Sequence, residues 1–167
     1  MNKLARGVVA GVALTAVTLT GCTRPPAAAA VVEGVRVPDE LVRQTATVLT
    51  GVVGTNPALA TTQATYDLTL HEAALVIADE NNLRVTDGEV QQVLDGSQML
   101  AAAASVEGGS AWARSIAYTN VVLEDVGREA FIEELQQLDI EINPRYGVWD
   151  AENYTIASSS LAVDAAS

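Results

Sequence analysis

The apolar positions of this chain change period along its length, and each change predicts an element. Gly7 to Leu19 is an unbroken apolar run apart from Thr15 and Thr18. From Ala30 to Val37 two valine-rich segments flank Glu33-Gly34, the pattern of a small β-hairpin whose glycine takes a positive-φ turn position. Pro38, Asp39 and Glu40 put a proline and two acids at a helix start, so a helix is expected to run to about Thr50, ended by Gly51 and Gly54. Asn56-Pro57 opens the longest helical stretch. There Leu59, Tyr66, Leu70, Ala74 and Ile77 recur at helical spacing, Leu68 and Leu75 widen the stripe, and the end is expected near Asn81-Asn82.

Thr86 with Glu89 three residues later has the form of a capping box, opening a short helix through Val90 and Val93. Asp95-Gly96 and Gly108-Gly109 bracket an alanine-rich helix from about Gln98 to Val106. Ser110 is the expected cap of the last long helix, with Trp112, Ile116, Val122, Val126, Phe131, Leu135 and Leu138 apolar and a kink at Gly127. Asp139 to Asn143 alternates like a half-buried strand, and the Ser- and Ala-rich end from 158 has little to pack. The expected fold class is mainly α with a small sheet.

The first residues carry a different message. Lys3 and Arg6 precede an apolar run too short to cross a core of about 30 Å, for which a helix needs about 20 residues, so the run reads as a signal-peptide h-region. Leu19-Thr20-Gly21-Cys22 then resembles the lipobox of bacterial lipoproteins. The resemblance implies cleavage before Cys22 and a diacylglyceryl thioether on its sulfur. The alternative is an ordinary secretory signal that leaves Cys22, the only cysteine, as a free thiol. The lipidated reading divides the chain into a signal at 1–21, a tether at 22–29 that Pro25 and Pro26 stiffen, a domain at 30–157 and a tail at 158–167. Acyl chains on Cys22 would hold the domain at the extracytoplasmic face of the cell membrane.

Charge narrows the partners. Without Lys3 and Arg6 the nine basic residues fall to seven, all arginine, against 21 acidic ones. Such a surface repels phosphate backbones, which argues against nucleic acid. Alanine and valine supply much of the apolar content and there is one phenylalanine, so the core is expected to be small-residue, closely packed and of modest stability.

Three stretches resemble the chaperone domain of exported SurA- and PrsA-type foldases: A-V-V-E-G-V-R-V-P-D-E-L-V (30–42), A-D-E-N-N-L-R-V-T-D-G-E-V (78–90) and I-N-P-R-Y-G-V-W-D (142–150). The last is similar to the closing strand of SurA N-terminal-like lipoproteins. The resemblance implies a helical body clamped by a two- or three-stranded sheet that pairs the N-terminal and C-terminal strands. Catalytic members carry a parvulin prolyl isomerase insert of about ninety residues. Here the corresponding stretch, 95–138, reads as helix and His71 is the only histidine. No enzyme activity is therefore expected.

Residue chemistry points the same way. His71 has no second histidine or free thiol with which to build a zinc set, and reads as a surface or boundary residue. Asp79 to Glu89 imitates a calcium loop, but Leu83 and Arg84 stand where a ligand and a glycine belong. Glu124-Asp125 and Glu133-Glu134 are neighbours that diverge by about 100° around a helix, a solvated face rather than an acid and base pair. Ser158 to Ser160 lack the glycines of a nucleophile elbow. No metal or cofactor is expected. Arg145, Tyr146 and Trp149 have two readings: a cap on the small-residue core, or a peptide-contact patch, since Tyr, Trp and Arg dominate binding hot spots. The leading functional expectation is a membrane-anchored, non-catalytic, chaperone-like lipoprotein that binds unfolded or newly exported polypeptides. An envelope adaptor that binds one folded partner, and a lipoprotein for a small molecule or metal, are the alternatives.

Overall fold

A computed structural model describes residues 28–157. The lipobox with Cys22 and the segment 158–167 lie outside the described residues. Strands β1 (Ala28–Val32) and β2 (Val35–Pro38) form the opening hairpin. Glu33 and Gly34 both take positive φ, 47° and 79°, the turn whose twist matches that of the flanking strands. Glu33 is held there by two bonds to the far end of the chain: its N–H donates to the Asp139 carbonyl at 2.9 Å and its carboxylate accepts from the Asp139 N–H at 2.6 Å. Because β1 begins at Ala28 and Ala29 is fully buried, the last two residues of the stretch read as tether belong to the sheet.

Helix α1 (Asp39–Val48) passes directly into a π-helical turn at Leu49–Val53 and stops at Gly54, so Gly51 lies inside the turn instead of ending the helix. Asn56 caps α2 (Pro57–Glu80) by accepting the Ala58 N–H at 2.9 Å. The capping box of α3 (Asp87–Gly96) forms as the sequence predicts, with Thr86 and Glu89 bonding each other's backbone. Ser97 caps α4 (Gln98–Ala104). The next helix, α5 (Gly109–Val126), starts after Gly108 with no side-chain cap, and Ser110 sits within its first turn rather than at its cap. Where a kink was expected, Gly127 adopts φ 88° and ψ 150°, which ends α5 outright, and α6 (Arg128–Leu135) starts as a separate helix.

β3 (Ile140–Ile142) returns to pair antiparallel with β1, joining Ala30 to Ile142, Val31 to Glu141 and Val32 to Ile140, so the sheet runs β2-β1-β3. The sheet therefore pairs the N-terminal strand with a strand from the C-terminal part of a mainly α body, as the expected fold class has it. A second, two-stranded sheet of β4 (Val148–Asp150) and β5 (Thr155–Ala157) was not foreseen. Gly147, at φ 134°, permits it: a Cβ there would stand 2.3 Å from Ile156 Cγ2 and 2.6 Å from the Ala157 carbonyl oxygen.

α2 is the axis of the body, packed against α1, α5, α6 and the β1–β2 hairpin. Its buried face is Ala60, Ala64, Leu68, Ala73, Ala74 and Ile77. Leu68, Ala74 and Ile77 of the expected stripe are buried, but Leu59 is 62 % exposed and Leu75 38 %, and Ala60, Ala64 and Ala73 complete the face in their place. The reason is steric, since small residues are what let three helices approach one helix. Thr65 and Thr69 are buried too, and their hydroxyls donate to the carbonyls of Thr61 and Thr65 at 2.9 and 2.7 Å.

Candidate functional site

A cleft of about 340 Å³ opens between α2, α5, α6 and the β4–β5 turn. Leu70 of α2, Ile116 and Leu123 of α5, and Phe131, Ile132 and Leu135 of α6 supply apolar walls. The break at Gly127 separates α5 from α6, and residues of both helices line the cleft together with α2. Asn153 and Tyr154 line the side toward the second sheet, and Gln136 donates to the Tyr154 hydroxyl. Trp149 stacks on Tyr66 at 6.5 Å between ring centroids, with the planes 26° apart, and so braces a residue of the same wall.

One wall carries a carboxylate. Asp67 is 7 % exposed; its Oδ2 accepts from Trp112 Nε1 at 2.8 Å and its Oδ1 from the Gln63 amide at 2.7 Å. Burial raises its pKa above the usual 3.8, against the pull of those two hydrogen bonds. Tyr66 beside it is raised as well, by burial first and by the Asp67 charge second. Sequence reasoning passed over Asp67. The available signal was its place at helical spacing within the small-residue stripe of Ala60, Ala64 and Ala74, where an acid is out of character.

The residues singled out from the sequence are divided between two places. Tyr146 is buried, and its hydroxyl donates to Asp39, which also accepts from Arg43 and Arg145. Arg145 lies over the Tyr146 ring, 4.8 Å from its centroid, with its side chain half exposed. The Tyr146 hydroxyl first, and then the charges of Arg145 and Arg43, hold Asp39 below 3.8 in spite of its burial. This cluster ties the start of α1 to the segment after β3, a core-capping arrangement. Trp149 is not part of it and joins the cleft side through Tyr66.

His71 lies at the boundary between α2 and α5, edge-on to Tyr118 at 5.4 Å, with Nδ1 buried and unbonded. Burial lowers its pKa below 6.5. Glu124, Asp125 and Glu133 are exposed, while Glu134 accepts from the Asn81 amide at 2.8 Å. Among the described residues no group of three or more His, Cys, Asp or Glu is placed to hold a metal ion, and no helix is long and apolar enough to cross a membrane. No protein-family model, no curated protein and no solved structure matches the chain.

Proposed function

We propose that this protein is a membrane-anchored, non-catalytic lipoprotein that holds unfolded or newly exported polypeptides by seating their apolar side chains in the cleft between α2, α5 and α6. The cleft is the observation that carries the reading. Its volume of about 340 Å³ lies at the low end of the range for ligand pockets, about 300–1,000 Å³, which suits a few side chains of an extended chain and not the convex face of a folded domain. Its lining is mainly aliphatic and aromatic, with Thr119, Asn120 and Asn153 as neutral polar members and Asp67 and Arg128 as the charged ones. The high acidic charge of the chain would keep a holder with exposed apolar surface soluble. Attachment through Cys22 would put the cleft where exported chains emerge.

The test is suppression of aggregation of a reduced, unfolded client by the full-length chain. Wild type is expected to keep the client dispersed at stoichiometric amounts, and Leu123→Gln, which puts an amide on the wall, is expected to need several-fold more protein. No suppression at a large excess sinks the reading. Recovery of one saturable folded partner, with no affinity for unfolded chains, would select the adaptor alternative instead.

A further inference from the structure

Two carboxylates are buried among the described residues, and the fold treats them differently. Asp39 is matched by two guanidiniums, from Arg43 and Arg145. Asp67 has only neutral donors, the Trp112 indole and the Gln63 amide, and none of the ion pairs among the described residues includes it. A carboxylate withdrawn from water without a cation is costly to ionise, and here it lines a cleft whose Leu70, Leu123 and Phe131 are apolar and whose other polar lining is Thr119, Asn120, Asn153 and Arg128. A cation delivered by a ligand would supply the charge that Asp39 receives from its own chain.

We infer that the cleft selects polypeptide segments in which one lysine or arginine is set among apolar residues, the cationic head pairing with Asp67 while its methylene stem and its neighbours lie against Leu70, Leu123 and Phe131. This specificity rests on the cleft being the polypeptide site proposed above. Long basic side chains suit such a place because their stems are apolar and only the tip is charged. The chain's net charge of −12 attracts basic segments at long range, and the cleft then sorts them at short range. Arg128, the other charged lining residue, is exposed at the start of α6 and stays free to meet an acidic group of the same segment.

The experiment is fluorescence anisotropy with the full-length chain and three labelled leucine- and serine-based peptides that differ only in a central Lys, Gln or Glu, at about 150 mM salt to screen the general surface field. The lysine peptide is expected to bind about tenfold more tightly than the glutamine peptide. In Asp67→Asn that ratio should fall to within about twofold while the glutamine peptide binds as before. Equal binding of the lysine and glutamine peptides overturns the selection and leaves the cleft reading standing. Binding of none of the three removes the cleft reading and the selection with it. A lysine preference that survives Asp67→Asn, or a glutamate preference that disappears in Arg128→Gln, overturns the role given to Asp67. In case Asp67→Asn does not fold, a photoactivatable group beside the lysine gives a second readout on the wild type. Crosslinks are expected on Tyr66, Leu70 or Leu123, and crosslinks confined to α3 and α4 overturn the assignment.

Discussion

At the scale of single residues, titration separates His71 from everything around it. Its ring is kept neutral by burial, so the folded pKa lies below 6.5 and the unfolded chain takes up a proton first on acidification. The stability this ring contributes is complete above 6.5 and is lost as the pH falls through 6.5 toward the folded value. Asp67 and Glu72, both raised by burial, act with the opposite sign, gaining stability as the pH drops toward the ordinary carboxylate range. The difference in melting temperature between wild type and His71→Gln is therefore the quantity to measure. It should shrink steadily from pH 7 to pH 5, and since His71 is the only histidine, a difference that is constant over that interval contradicts the burial argument.

At the scale of elements, the helices hold together through alanine. Ala64 and Ala113 are fully buried where α2 meets its neighbours, so added methylenes have nowhere to go. Ala64→Leu and Ala113→Leu are each expected to cost about 1–3 kcal/mol, read from urea denaturation. Leu59→Gln, at a leucine 62 % exposed, should change stability by no more than about 0.5 kcal/mol. A large loss at Leu59 with none at the alanines would return Leu59 to the core face. Leu68, Ala74 and Ile77 keep to the predicted stripe and Leu59 and Leu75 do not, because apolar periodicity weights large side chains, whereas a helix with partners on several sides also buries its small ones. The Thr86–Glu89 capping box, the Asn56-Pro57 start and the Glu33-Gly34 turn were legible, since each rests on residue types within a few positions of one another.

At the scale of the whole molecule, the opening hairpin and the start of α1 are fastened to residues 139–146 by the Glu33–Asp139 bonds, by the β1–β3 ladder and by Asp39 with Tyr146 and Arg145. Asp39 is depressed in the fold, chiefly by the Tyr146 hydroxyl, so its contribution is present above about pH 3.8 and disappears as the pH falls through the lower folded value. Tyr146→Phe removes that hydroxyl from a buried carboxylate and is expected to cost about 1–3 kcal/mol at neutral pH. The loss should narrow in acid, where Asp39 is protonated in wild type as well. Thermal melts of both proteins between pH 7 and pH 3 check this, and a loss independent of pH would mean that the hydroxyl serves packing alone.

By itself the sequence determined the helical class, most of the boundaries, the opening hairpin and the strand from Ile140, because propensity, caps and turn geometry act over a handful of residues. Only the tertiary structure decided that Gly127 breaks the last helix instead of bending it, that Gly147 admits a second sheet, and that Tyr146 and Trp149 serve different places. It alone set Asp67 against Trp112, 45 positions further along the chain, on the wall of a cleft. Those outcomes depend on which surfaces meet after collapse, and pairings at such separations leave no period or spacing in the chain from which to read them.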